Sequence, residues 1–286
     1  MPFLQLSFES APADAEHLES ACFAAGALSV TLTDPTDTPI FEPELNTTPL
    51  WPRVRLAALF DARADRLQIL AALKGVPPEY TFTEIPDKLW EREWLVDFKP
   101  MRFGSRLWVC PQEQRVTAQD AVVLYLDPGL AFGTGTHPTT SLCLQWLDGA
   151  SLQGKHAIDY GCGSGILAIA AVKLGAREVW AVDHDPQALL ATRENAGRNG
   201  VTGQVHAQAP DCALPQTDAL LANILAVPLI ELAGLFQTRV RPGGDVVLSG
   251  ILADQADVVA AAYTPWFEMQ TPTLLDGWVR LHGVRR

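Results

Sequence analysis

Cysteine is scarce: five residues, at positions 22, 110, 143, 162 and 212, are scattered over 286 and are never spaced as Cys-x-x-Cys. That argues against a disulfide framework and a cysteine-ligated zinc, and predicts buried reduced thiols. No run of about 18 apolar residues occurs, which excludes an evident membrane span. The N-terminus has no basic segment leading into an apolar stretch, so no secretory leader is expected and the cytoplasm is the expected compartment. Basic residues are in deficit, 21 Lys+Arg against 33 Asp+Glu for a net charge of -12. This opposes wrapping a phosphate backbone, and is compatible with a basic protein partner or with plain solubility. No repeat of solenoid length is present. Core material, by contrast, is ample: 48% of residues are hydrophobic and 19% charged. A chain of this length exceeds one ordinary domain of about 100–200 residues, so two are expected.

Leu4, Leu6 and Phe8 alternate with Gln5, Ser7 and Glu9, the period of a half-buried strand. Over Asp14 to Ala25 the spacing of Leu18, Cys22 and Phe23 is helical, with Asp14 able to cap the first turn and Gly26 placed to close the helix. Leu28 to Thr33 and Val54 to Phe60 read as strands, Ala64 to Lys74 as a helix and Tyr80 to Ile85 as a strand. That order suits a split α+β sandwich of ferredoxin type over residues 1–86. Within it, residues 34–51 hold Pro35, Pro39, Pro43 and Pro49 among acidic residues and predict a long exposed loop. Leu89, Trp90, Trp94 and Leu95 share one side of a short helix, read as a connector over residues 87–100 whose tryptophans serve packing. Over residues 101–286, strands near Val122 to Leu126, His156 to Asp159, Glu178 to Asp183, Ala219 to Ala222 and Asp245 to Ser249 alternate with helices. This is the pattern of a mostly parallel α/β sheet.

Four motifs carry chemistry. From His156 through Asp159, Gly161, Gly163 and Gly165 to Ile166, an apolar strand enters a glycine turn and then a helix. Three alternate glycines let a ligand come where a Cβ would collide. A dinucleotide fingerprint needs its third glycine where Ile166 stands, which weakens a nicotinamide reading. Asp183 ends the next strand and can accept both hydroxyls of a ribose, although an acidic strand end taken alone is more often a helix cap or a solvated turn. Asn223 follows a core strand in Leu220-Leu-Ala-Asn-Ile-Leu225, where an amide either caps the next helix or faces a ligand. From Leu126 to Thr140 a glycine-containing loop leads to Pro138, which fits an early helical position that Thr136 or His137 can cap.

Asp159, Gly161, Gly163 and Gly165 followed by Asp183 resemble the cofactor site of the seven-stranded S-adenosylmethionine-dependent methyltransferases. The stretch Leu126-Asp-Pro-Gly-Leu-Ala-Phe-Gly-Thr-Gly-Thr-His137-Pro-Thr-Thr140 resembles, almost letter for letter, the loop of the ribosomal protein L11 methyltransferase (PrmA-type) family. The fold implied is an α/β, Rossmann-like seven-stranded methyltransferase sheet with a smaller N-terminal α+β ferredoxin-like domain. The cofactor would be S-adenosyl-L-methionine, held over the C-terminal strand ends. The resemblance implies that Asp159 supports the loop and the methionine ammonium, that Gly161 and Gly163 line the methionine and ribose, and that Thr140 contacts the cofactor. It further implies that Asp183 holds the ribose, and that His137 lies near the transferred methyl group, a place where a histidine also reads as a cap.

Asn223 to Leu225 resembles the Asn-Pro-Pro-Tyr motif of amino-group methyltransferases, in which the Asn oxygen and a following carbonyl orient the amine beside the cofactor. Asn223 and the carbonyl of Leu225 are the expected pair. No aromatic follows to stack on a base, which favours an aliphatic amine. The implied partner is ribosomal protein L11, gripped by residues 1–86 and methylated on lysine or N-terminal amines. The chain is expected to act as a monomer, without nucleic-acid specificity, membrane or metal. The cofactor motifs alone also admit another protein, a base or a small amine as substrate, or cofactor binding without turnover. The Asp127 to Thr140 loop and the presence of Asp159, Asp183 and Asn223 favour the first reading.

Overall fold

The computed structural model describes residues 2–36, 49–73, 77–86, 99–112, 114–126 and 135–286. The chain divides into two compact units, Met1–Glu91 and Arg92–Arg286. The expected connecting helix, most of the proline-rich loop and residues 127–134 of the signature loop lie outside the described residues. Among the described residues no helix is long and apolar enough to cross a membrane.

The first unit contains β1 (Phe3–Ser10), α1 (Pro12–Ala24), β2 (Ser29–Thr33), β3 (Val54–Asp61), α2 (Arg66–Ala72) and β4 (Tyr80–Ile85). Its strands lie in the order β2-β3-β1-β4 with every pairing antiparallel, the ferredoxin-type arrangement. Alternation builds the core. Leu4, Leu6 and Phe8 pair with Phe60, Ala58 and Leu56 and share a face with them. That face packs on Leu18 and Cys22 of α1 and Ile69 of α2, each large side chain so buried stabilising the unit by roughly 1.5–3 kcal/mol.

Helix α1 starts two residues before Asp14, because Pro12 fits a first turn whose N–H groups have no helical partner. Ala11 is its N-cap, and Asp14 sits inside the first turn, where its charge suits the helix dipole. At the other end Gly26 N–H bonds to Phe23 O and Ala27 N–H to Cys22 O, a Schellman closure. Helix α2 is shorter than its pattern suggested, starting where Asp65 accepts from Leu67 N–H at 2.8 Å.

The second unit runs β5 (Met101–Phe103), β6 (Leu107–Cys110), β7 (Val122–Tyr125), α3 (Pro138–Gly149), β8 (His156–Tyr160), α4 (Ile166–Lys173), β9 (Glu178–Val182) and α5 (Pro186–Arg198). It continues through β10 (Val205–Gln208), β11 (Thr217–Asn223), α6 (Ala226–Arg239), β12 (Val240–Leu252), α7 (Ala256–Tyr263), β13 (Phe267–Met269), β14 (Thr273–Leu275) and β15 (Trp278–Arg285). Seven strands form the path β10-β9-β8-β11-β12-β15-β13, with β14 attached to β15. Strands β8 to β12 are parallel, and β15 runs against both of its path neighbours. Successive residues of β8 serve opposite layers: Ala157 packs among side chains of α3 and α4, Ile158 among those of α6 and α7. Cover on both faces is what such apolar parallel strands require. Helix α4 is buried from Ile166 through Val172, as expected of a helix that is apolar all round.

Val122 to Tyr125 departs from expectation. Instead of joining the main sheet, it pairs in parallel with β6 in a separate sheet of order β5-β6-β7. Both edges of β8 are already taken by β9 and β11, so the main sheet has no place for it there. Asp148, at the end of α3, ties the small sheet down by accepting from the N–H groups of Ser105, Arg106 and Leu107 and from the Ser105 hydroxyl. Burial pushes its pKa up, but these hydrogen bonds win and hold it below the usual carboxylate value. The side-chain amide of Asn199, just after α5, accepts from Tyr125 N–H at 2.8 Å and donates to Tyr125 O at 2.7 Å, the pair a neighbouring strand would offer.

Candidate active site

The C-terminal ends of β8, β9 and β11 bring the sequence motifs together. After β8 the chain turns through Gly161, Gly163 and Gly165, all at positive φ, with the N–H groups of Gly161 and Cys162 both bonded to Val182 O at the end of β9. At Gly161, φ is +78° and a Cβ would lie 2.2 Å from Ile224 Cγ2, so any other residue would strain the backbone and force the Ile224 side chain to move. Gly165 is the N-cap of α4.

Asp159 is buried beneath this turn. One carboxylate oxygen accepts from Ala168 N–H at 2.9 Å, while the other has no hydrogen-bond partner among the described residues. Burial pushes its pKa up to about 7, against the pull of the Ala168 bond and with a further push from the negative charge of Asp183. Asp183, directly after β9, accepts from Gly163 N–H at 2.9 Å through one oxygen and from Asp185 N–H at 3.0 Å through the other. Each oxygen retains acceptor capacity for a ribose hydroxyl. An unpartnered buried carboxylate oxygen, a turn stripped of Cβ atoms and a second carboxylate at the next strand end fit a cationic, ribose-containing cofactor. Asp159, Gly161, Gly163 and Asp183 are the residues that could hold it.

The acceptor side joins elements far apart in sequence. Asn223, the last residue of β11, donates through Nδ2 to the hydroxyl of Thr140 at 3.3 Å across 83 positions. Thr140 lies fully buried in the first turn of α3. With its nitrogen end so engaged, the oxygen is the end of the Asn223 amide that could accept from an amine.

Leu225 opens the next helix. It is the N-cap of α6, the residue is 51% exposed, and its carbonyl accepts from Leu229 N–H at 3.2 Å as the first acceptor of the helix. A carbonyl oxygen has two lone pairs, so this bond leaves one that could still accept from an amine beside Asn223. His137 caps α3: its Nδ1 is 3.4 Å from Thr139 N and 2.8 Å from the Thr139 hydroxyl. Its ring meets Trp278 edge-on at 5.0 Å, and burial holds its pKa below the usual value. These contacts describe a neutral capping imidazole.

Motif reading missed the face of α5 that holds the glycine turn. Thr192, fully buried, donates to Gly163 O at 3.0 Å and approaches Cys162 Sγ at 3.4 Å. Asn195 donates to Ser164 O at 2.8 Å. The available signal was two polar residues three apart on the helix face that carries Ala188, Leu189 and Ala196. Among the described residues no group of three or more His, Cys, Asp or Glu side chains could hold a metal ion.

Residues 2–286 match the family described as Ribosomal protein L11 methyltransferase (PrmA). A ribosomal protein L11 methyltransferase of Pseudomonas putida (strain W619) is 53% identical over 292 residues, and one of Pseudomonas fluorescens (strain SBW25) is 52% identical over 293; each alignment covers all of both chains. The crystal structure of a ribosomal protein L11 methylase from Lactobacillus delbrueckii subsp. bulgaricus is 30% identical with a TM-score of 0.60, covering 66% of this chain and all of that one.

Proposed function

Because the chain belongs to the ribosomal protein L11 methyltransferase family, we propose that it transfers methyl groups to lysine side-chain or N-terminal amines of ribosomal protein L11, with Asn223 orienting the amine. S-adenosyl-L-methionine, when bound, supplies a methyl group on a positively charged sulfur, which leaves with the bonding electrons as the nitrogen–carbon bond forms. The residues we assign to holding it are Asp159, Gly161, Gly163 and Asp183, with Thr140 and Asn223 at its methyl end.

The chain's own task is positioning. A near-attack separation of about 3–3.5 Å and a free lone pair are what the amine needs. Presenting a lysine as the neutral amine at pH 7 costs about 4–5 kcal/mol from its ordinary pKa of about 10.4, and desolvation near positive charge lowers that cost. Asn223 Oδ1 accepts one amine N–H and so directs the lone pair. No base is assigned. His137 Nδ1 is occupied by Thr139, and the proton of the alkylated nitrogen passes to water. We assign His137 to fixing the first turn of α3, and therefore Thr140.

The observation that carries this reading is the Asn223–Thr140 hydrogen bond, which engages the nitrogen end of the amide and so supports a substrate-facing role for its oxygen. We assign residues 1–86 to gripping the protein substrate, 87–100 to the connection and 101–286 to catalysis. The acidic balance favours the protein over nucleic acid as the recognised surface, and the cytoplasm as the place of action follows from a ribosomal substrate.

Intact-mass spectrometry of free L11 incubated with the enzyme and S-adenosylmethionine should show steps of one methyl group. Asn223→Ala should slow them roughly a hundred-fold, the scale of losing one oriented hydrogen-bonding group at a reacting centre, while cofactor affinity falls by far less than the rate. Full turnover in that variant would refute the orienting role.

A further inference from the structure

The segment that carries Asn223 is held from behind by a bulge in the neighbouring strand. Strand β12 pairs with β11 so that Ser249 lies opposite Asn223, and its register with β15 shifts between Leu248 and Ile251. At the centre of that shift Gly250 has φ +85°. A Cβ there would stand 2.3 Å from the carbonyl oxygen of Ile224, 2.8 Å from its carbonyl carbon and 3.2 Å from its nitrogen. All three are main-chain atoms, so no rotamer change could relieve the collision, and any side chain at 250 would displace the Asn223–Ile224 link.

Ser249 completes the hold from another side. It is fully buried, and its hydroxyl lies 3.2 Å from Thr139 O and 3.3 Å from Val279 O, sharing one proton between two carbonyls on α3 and β15. Thr139 precedes Thr140, the partner of Asn223. Two adjacent residues of β12 therefore control both halves of the Asn223–Thr140 pair: Gly250 through the main chain of Ile224, Ser249 through the first turn of α3.

We propose that Ser249 and Gly250 are positioning residues for the methyl acceptor, setting the orientation of Asn223 without touching cofactor or substrate. The proposal rests on Asn223 being the group that orients the amine. The enzyme should tolerate Ser249→Ala as a folded protein, since the buried hydroxyl is replaced by a smaller apolar group. Its kcat should nevertheless fall roughly ten-fold, and that of Gly250→Ala roughly a hundred-fold, as expected for sub-ångström to ångström misplacement of an orienting group. Neither variant should change S-adenosylmethionine affinity, measured by calorimetry, by more than about two-fold, and Ser249→Thr should recover part of the loss.

A double-mutant cycle with Asn223→Ala isolates the coupling. On that background Ser249→Ala should have no further effect, because there is no amide left to misalign. If Asn223→Ala is slow and Ser249→Ala slows it again by the same factor, Ser249 acts independently of Asn223 and the proposal is overturned. It is overturned equally if Ser249→Ala leaves kcat unchanged, or if cofactor affinity and Tm fall in step with kcat, the pattern of a general loss of structure. Full kcat in Asn223→Ala alone is the separate result that removes the acceptor reading, and the proposal with it.

Discussion

A carboxylate with one oxygen bonded and the other bare is an unstable arrangement at neutral pH, and Asp159 is held in it by burial. Its pKa, raised to about 7, has two consequences of opposite sense. In the cofactor-free protein the folded state binds a proton more tightly than the unfolded one. The contribution of Asp159 to stability is therefore complete below the ordinary carboxylate pKa and is lost as pH rises through about 7. A cationic ammonium beside it reverses the preference and favours the ionised form. Calorimetric affinity for S-adenosylmethionine should accordingly increase roughly ten-fold between pH 6 and pH 8, the range over which such a group changes from mostly protonated to mostly ionised. Asp159→Asn should flatten that dependence. An equally steep profile in the variant would place the titrating group elsewhere.

At the scale of elements, helix α5 acts as a rigid backing for the glycine turn. Thr192 and Asn195 bond to consecutive carbonyls, Gly163 and Ser164, and Asn199 continues the same face to Tyr125. Removing one such bond costs about 0.5–1.5 kcal/mol, so Thr192→Val or Asn195→Ala should weaken cofactor binding about three- to ten-fold, with kcat at saturating cofactor nearly unchanged and Thr192→Ser close to the original. A fall in Tm without a change in affinity would limit α5 to holding the fold. The element scale is also where the sequence was hardest to read. The glycine turn, Asp183 and Asn223 could be located because each is a short pattern at a strand end, where neighbouring residues carry the signal. The Thr140–Asn223 pair spans 83 positions, and the Ser249 contact to Thr139 spans 110; no local pattern records either. The alternation of strands with helices identified a strand near Val122 to Leu126, but strand character does not say which sheet receives it. An Asn-Ile-Leu string likewise does not reveal at which residue the helix begins, here with Leu225 as its N-cap.

For the whole molecule, the two units invite separation. The second unit contains every residue assigned to the cofactor and to Asn223, together with both faces of its own core. A chain beginning near Met101 should keep S-adenosylmethionine affinity within a few-fold while losing most of its rate on intact L11, as followed by intact mass. Normal modification by the shortened chain would assign substrate recognition to the second unit alone.

The strand order adds a constraint of timing. Strand β15 is synthesised after β13, yet it is inserted between β13 and β12. On a translating ribosome β13 therefore has no place in the sheet until residues 278–285 emerge, since its pairing is with β15. The same late strand carries Val279, one of the two carbonyls that share the hydroxyl of Ser249. With domains tending to fold from the N-terminus during synthesis, the nascent enzyme can complete its glycine turn well before the hold on Asn223 is in place. It should bind cofactor before it is competent to transfer a methyl group.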